Sequence, residues 1–152
     1  MTGRELTADQ IIHKTIRINA PASNVWDTLT NPVLINRWML DGETDIDIIS
    51  EWKPGSSILF RGDLHGLDFE NKGTILQYEP GKVFEYNFWS SLSQNADIPE
   101  NYSVIRFELT PAGDATTLAF TQTGFVTETI YQHFNFYWNT ALDLIRKLNE
   151  NL

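Results

Sequence analysis

Residues 128–150, Glu128-Thr-Ile-Tyr-Gln-His-Phe-Asn-Phe-Tyr-Trp138-Asn-Thr-Ala-Leu-Asp-Leu-Ile-Arg-Lys-Leu-Asn-Glu150, decide the fold. Ile130, Phe134, Tyr137, Trp138, Ala141, Ile145 and Leu148 recur at steps of three and four, which predicts one amphipathic helix from Thr127 or Glu128 to about Glu150. At about 1.5 Å per residue, some 22 residues make a rod of roughly 33 Å, so its apolar stripe needs a broad partner surface.

The rest of the chain supplies that surface. Between 43 and 123, β-rich runs near 44–50, 56–62, 67–78, 83–90, 102–109 and 115–123 are separated by turn chemistry at Pro54-Gly55, His65-Gly66, Pro80-Gly81 and Pro111-Ala112-Gly113. Residues 11–18, IIHKTIRI, alternate as a further strand. Two short helices are predicted next. Ser23 caps the first, or Asn19 caps it with Pro21 in its first turn; Asn31 caps the second, which starts at Pro32, covers 32–38 and stops before Asp41-Gly42. An α+β arrangement follows from packing: about seven antiparallel strands curve around one long C-terminal helix, and two short helices close an end.

Composition bounds the function. The 152 residues fit one domain spanning 1–152, with about 68–70% of the unfolded surface buried on folding. No cysteine is present, which excludes thiolate metal sites and thiol nucleophiles and suits a reducing, cytoplasmic setting. The opening MTGRELTADQIIHK has no long apolar run, so neither signal peptide nor membrane anchor is expected. A net charge of −9 repels phosphate backbones and anionic lipid, so neither nucleic acid nor membrane is an expected partner. The imbalance is concentrated in 41–70, where Asp41, Glu43, Asp45, Asp47, Glu51, Asp63, Asp68 and Glu70 face only Lys53 and Arg61. Nine Phe, five Trp and five Tyr exceed what a minimal core needs, and rings with polar handles suit a ligand cavity.

Local motifs add a resemblance. Ile18-Asn-Ala-Pro-Ala-Ser-Asn-Val-Trp26-Asp-Thr-Leu-Thr-Asn-Pro32-Val-Leu-Ile-Asn-Arg-Trp38-Met is similar to the N-terminal signature of the family named after the activator of Hsp90 ATPase, within the START-like or SRPBCC superfamily. Gly55-Ser-Ser-Ile-Leu-Phe60, Gly73-Thr-Ile-Leu-Gln-Tyr-Glu-Pro80-Gly-Lys-Val-Phe-Glu-Tyr86 and the Trp138 helix also fit. The resemblance implies a helix-grip (Bet v 1 or START-like) fold with an apolar cavity between sheet and terminal helix, holding a small apolar or aromatic molecule. Where the family commonly has Gly before the tryptophan, this chain has Tyr137, whose ring either fills part of that cavity or offers a hydroxyl to a ligand. The co-chaperone's client-contacting N-terminal domain has no counterpart in the 152 residues, so Hsp90 stimulation is not expected.

The candidate cavity residues are Trp38, Phe60, Phe69, Phe84, Tyr86, Phe88, Tyr102, Arg106, His133, Phe134, Tyr137 and Trp138. Each ring has a plain alternative as core packing. His133 and Tyr137, at i and i+4, could exchange protons with a ligand, although a helix-flank histidine commonly faces solvent. Arg106 shares a strand face with Glu108; it clamps a carboxylate if that face lines the cavity and is a solvated charge if Ile105, Phe107 and Leu109 form the core face. Asp63, His65, Asp68 and Glu70 have metal-ligand chemistry, but the His65-Gly66 turn accounts for their polarity, so no metal or cofactor is expected. Three function classes stay open: a ligand carrier; a cyclase, dehydratase or hydrolase using Tyr86, Tyr137 or His133; and a chaperone-associated interaction module. A homodimer is also open.

Overall fold

The computed structural model describes residues 10–40 and 44–150, so the opening segment read for a signal peptide or anchor and the Asp41-Gly42 break lie outside the described residues. The alternating segment 11–18 forms β1 (Ile11–Ile18), with Ile12 and Ile18 turned inward. Helices α1 (Ala22–Thr30) and α2 (Pro32–Trp38) follow. The chain then runs through β2 (Ile46–Ser50), β3 (Ser57–Leu64), β4 (Leu67–Glu79), β5 (Val83–Ser90), β6 (Ser103–Ala112) and β7 (Ala115–Thr123) to α3 (Glu128–Glu150). The strands make one antiparallel sheet in the order β1-β7-β6-β5-β4-β3-β2, which curves around α3 in a helix-grip α+β fold.

Two local readings are corrected. Neither Ser23 nor Asn19 caps α1. Pro21 holds the cap position, and its carbonyl accepts from the amides of Asn24 (3.0 Å) and Val25 (3.2 Å); a proline there has no N–H to leave unpaired. The β6–β7 turn is also shorter than expected, because Pro111 and Ala112 pair with Thr116 and Ala115 and only Gly113-Asp114 make the bend. A glycine-first two-residue loop, with Gly113 at φ 66°, matches strand twist and lets the ladder run to its end. Asn31 does cap α2, accepting the Val33 amide at 3.0 Å.

Curvature comes from β4. Its register with β5 shifts between Ile75 and Gln77, and the Thr74 amide bonds the side chain of Asn87 (2.8 Å). Gly73 is pressed so closely to β5 that a Cβ would lie 1.7 Å from the Asn87 carbonyl oxygen.

Helix α3 is held by its centre and its C-terminal half, where Trp138, Ala141, Leu142 and Ile145 are buried. The Trp138 ring lies 4.1 Å from Phe120 and 5.8 Å from Phe107, centroid to centroid. Its indole N–H donates to Gln122 Oε1 (2.8 Å), whose amide nitrogen donates to Ser103 Oγ (3.2 Å). Near the helix end, Asn149 donates to Thr28 Oγ1 of α1 (3.1 Å). The expected N-terminal stripe residues Ile130, Phe134 and Tyr137 are only half-buried.

Trp138→Phe strands the Gln122 carbonyl in the core and is expected to cost about 1–3 kcal/mol in urea unfolding. Adding Gln122→Leu is expected to recover part of that loss, a coupling that an additive pair would not show. Gly73→Ala is expected to cost about 3 kcal/mol, because backbone must move to admit the methyl.

Candidate functional site

Strand alternation decides which residues of β3, β4 and β5 lie on the inner face of the sheet. On β3 the inner residues are Ile58, Phe60 and Gly62; on β4 they are Phe69, Asn71, Gly73 and Ile75; on β5 they are Phe84, Tyr86, Phe88 and Ser90. Cross-strand register places Asn71 between Phe60 and Ser90, and Ile75 beside Tyr86. The Phe60 ring reaches back to Tyr86, 6.0 Å between centroids. From α3, Phe134 meets Phe88 edge-on at 5.7 Å. These contacts gather one polar amide and two phenols within an aromatic setting.

The phenols are distinct. The Tyr137 hydroxyl accepts the backbone N–H of Leu40 at 3.0 Å, tying the segment after α2 to α3. Burial pushes its pKa from 10.0 up to about 12, with the Leu40 bond opposing the rise. Tyr86 is raised further, chiefly by burial and then by the nearby Tyr137 phenol, so both are neutral donors at physiological pH. The Asn71 carbonyl oxygen is buried and has no hydrogen-bond partner.

The rings expected along the cavity divide into two groups. Trp38, Phe84 and Trp138 belong to the closed core: Trp38 lies 6.1 Å from Trp138 and donates to the Thr28 carbonyl (2.9 Å), and Phe84 stacks on Phe107. Phe60, Phe69, Tyr86 and Phe88 continue the same buried cluster on the strands that carry Asn71, with Phe69 beside Gly62, and the half-buried Phe134 and Tyr137 pack against it from α3. Three candidates are not brought together with them. Arg106 points outward to Glu108 (2.9 Å), Glu85 (3.3 Å) and Gln77 (3.0 Å), because Ile105, Phe107 and Leu109 take the inner face of β6. Tyr102 also lies on the outer side, donating to Asp97 (2.6 Å), which pairs with Lys72 beside the Trp89 ring. His133 is exposed on α3, against the edge of Phe134.

Asn71 is the residue that sequence reasoning missed. A signal existed: within Phe69, Asn71, Gly73 and Ile75, it is the one polar side chain in an inner-face register. The acidic segment forms instead a surface cleft lined by Asp45, Asp47, Arg61, Gly62, Asp68, Phe69, Glu70 and Ser91. Asp63 there accepts the Gly66 amide (2.6 Å) in a turn with His65 and Gly66 both at positive φ, and Glu70 lies 3.6 Å from Arg61. Among the described residues, no group of three or more His, Asp and Glu side chains is arranged to hold a metal ion, and no helix is long and apolar enough to cross a membrane.

Comparison with known proteins gives a consistent picture. The family model described as Activator of Hsp90 ATPase homolog 1-like protein matches residues 19–150. A protein from Cytophaga hutchinsonii, solved in solution, is 34% identical, with a TM-score of 0.81 over 96% of this chain and 97% of that one. The solution structure of the Aha1 dimer from Colwellia psychrerythraea shares the fold at 22% identity, TM-score 0.72, over 93% and 96% of the two chains. CalU16 from Micromonospora echinospora does so at 22% identity and TM-score 0.69, over 91% and 73%. No curated protein matches this chain.

Because burial holds Tyr137 in its neutral form, the stability it contributes is complete below pH 10.0 and lost as pH rises towards about 12. Absorbance titration of the phenols is expected to show Tyr137 ionising late, together with alkaline unfolding. Tyr137→Phe is expected to blunt that alkaline loss while speeding hydrogen exchange at Leu40; an unchanged Leu40 rate would contradict the bond's role.

Proposed function

Since the chain belongs to the family described as Activator of Hsp90 ATPase homolog 1-like protein, we propose that it binds a small apolar or aromatic molecule between the inner face of β3–β5 and the N-terminal half of α3. The observation that carries this reading is the unpaired, buried Asn71 carbonyl set among Phe60, Tyr86, Phe88 and Phe134. Apolar walls with one or two convergent polar groups are how small-molecule sites combine affinity with orientation. The half-burial of Phe134 supports the same region, since this ring lies one turn from the Trp138 anchor and packs on Phe88.

Binding is favoured over catalysis by where the acid–base candidates lie. A reacting atom needs its donors within about 3 Å or one water away. Of the three candidates, His133 faces solvent and Tyr137 is engaged with backbone, which leaves Tyr86 alone to serve a reacting atom in the site. The interaction-module reading rests on less. Phe136 is the most exposed large apolar residue among those described, at 76%, and its α3 neighbours Gln132, His133, Asn139 and Thr140 are exposed polar groups. The dimer named for the Colwellia relative is carried to this chain only as a proposed assembly, and a cytoplasmic setting only as what the cysteine-free, acidic composition suits.

A thermal-shift screen of lipids, polyketides and flavonoid-like aromatics tests the reading. A binder at a hundred times its Kd is expected to add about 2.7 kcal/mol, a rise of roughly 5–10 °C for a chain of this size. Phe134→Ala is expected to weaken such a binder about tenfold with little loss of fold, and Tyr137→Gly to shift preference towards larger molecules. Absence of stabilisation by every apolar class would overturn the reading.

A further inference from the structure

Several polar side chains of the described interior are closed into pairs. Gln122 bonds Trp138 and Ser103, Asn149 bonds Thr28, and Thr116 bonds the Ala20 carbonyl (2.8 Å). Among the described residues, only the Asn71 carbonyl is buried without a partner. Such an orphan acceptor costs about 1–3 kcal/mol, and a donor arriving on a ligand offsets that cost. Ser90, opposite Asn71, accepts the Leu92 amide on its hydroxyl oxygen at 3.2 Å and makes no bond to the Asn71 carbonyl.

Charge narrows what that donor can belong to. The inner positions of β3, β4 and β5 carry no Lys, Arg, His, Asp or Glu. The cations on these strands and on β6 are turned outward and already paired: Arg61 with Glu70, Lys72 with Asp97, and Arg106 with Glu85 and Glu108. A carboxylate brought to the inner face would therefore lose its hydration and gain no cation, and neutral amide or phenol donors alone do not offset that cost. A neutral hydroxyl has the opposite balance, because it donates to Asn71.

We infer that the ligand of this site is a neutral, hydroxyl-bearing aromatic molecule, its ring against Phe60, Tyr86 and Phe134 and its hydroxyl donating to Asn71 Oδ1, and that anionic ligands of the same size are rejected. This rests on the binding function proposed above and specifies its chemical class. The specificity comes from an unpaired acceptor and an absent charge, so matched probes separate the two contributions.

Titration of the whole chain at pH 7 with 2-naphthol, naphthalene and 2-naphthoate, followed by NMR shifts of the aromatic side chains, provides the test. The expected order is 2-naphthol first, naphthalene about tenfold weaker, and 2-naphthoate at least about tenfold weaker than 2-naphthol. Asn71→Leu is expected to reduce 2-naphthol to the level of naphthalene and leave naphthalene unweakened. Equal binding of 2-naphthol and naphthalene to the unmodified chain, or binding of 2-naphthoate as tight as that of 2-naphthol, overturns the inference while the binding function stands. Failure of all three probes also overturns the inference, and the binding function falls with it only if the thermal-shift screen of every apolar class is silent as well. The ligand series on the unmodified chain decides the matter even if Asn71→Leu does not fold.

Discussion

The indole of Trp138 has a large apolar body and one donor, and the fold is built to satisfy both at once. Its ring sits against Phe120 and Phe107, and its N–H reaches Gln122, a fully buried amide that β7 presents on the inner face. An amide buried in the middle of a sheet is tolerable only with such partners. This single hydrogen-bonded contact therefore fixes the height and rotation of α3 over the strands. With that fixed, the C-terminal half of the helix closes the core against β1 and α1, and the next residue back, Tyr137, falls beside the Leu40 amide.

The same anchor explains why the two halves of α3 differ. Beyond Trp138 towards the N-terminus, Phe134 meets Phe88 of β5, the strand whose pairing with β4 is bent by the irregularity at Gly73–Leu76. The inner face of this part of the sheet carries Phe60, Tyr86 and Phe88 together with Asn71. Charges on these strands are sorted to the outer face, where short pairs such as Arg106–Glu108 and Lys72–Asp97 sit in contact with water. Pairs of this kind add little stability. Their consequence lies inside, where an aromatic, uncharged surface is left with one unsatisfied acceptor.

Much of the architecture was legible in the sequence because its signals are periodic. Alternation found every strand, steps of three and four found α3, and Asn31-Pro32 marked the start of α2. What failed was local and non-periodic. The Pro21 cap depends on backbone geometry that side-chain preference does not encode, and the β6–β7 ladder continued through Pro111 because the Gly113-Asp114 bend is tight. For the site, periodicity identified which rings are buried without separating the closed core around Trp138 from the rings around Asn71. Arg106 was undecided by its own strand and is settled by the greater apolarity of Ile105, Phe107 and Leu109. Asn71 was passed over because a single polar residue in a strand has no pattern of its own. Its meaning emerges only when register sets it between Phe60 and Ser90.

The central claim is one of place: a neutral aromatic guest is held under the N-terminal half of α3, against Asn71. An isotope-filtered NOE spectrum of labelled protein with unlabelled 2-naphthol reads that place directly. The account predicts cross-peaks from the naphthol ring to Phe60, Tyr86 and Phe134. Cross-peaks confined to the acidic surface cleft along Asp45, Asp47 and Asp68, with none to those three rings, would contradict it.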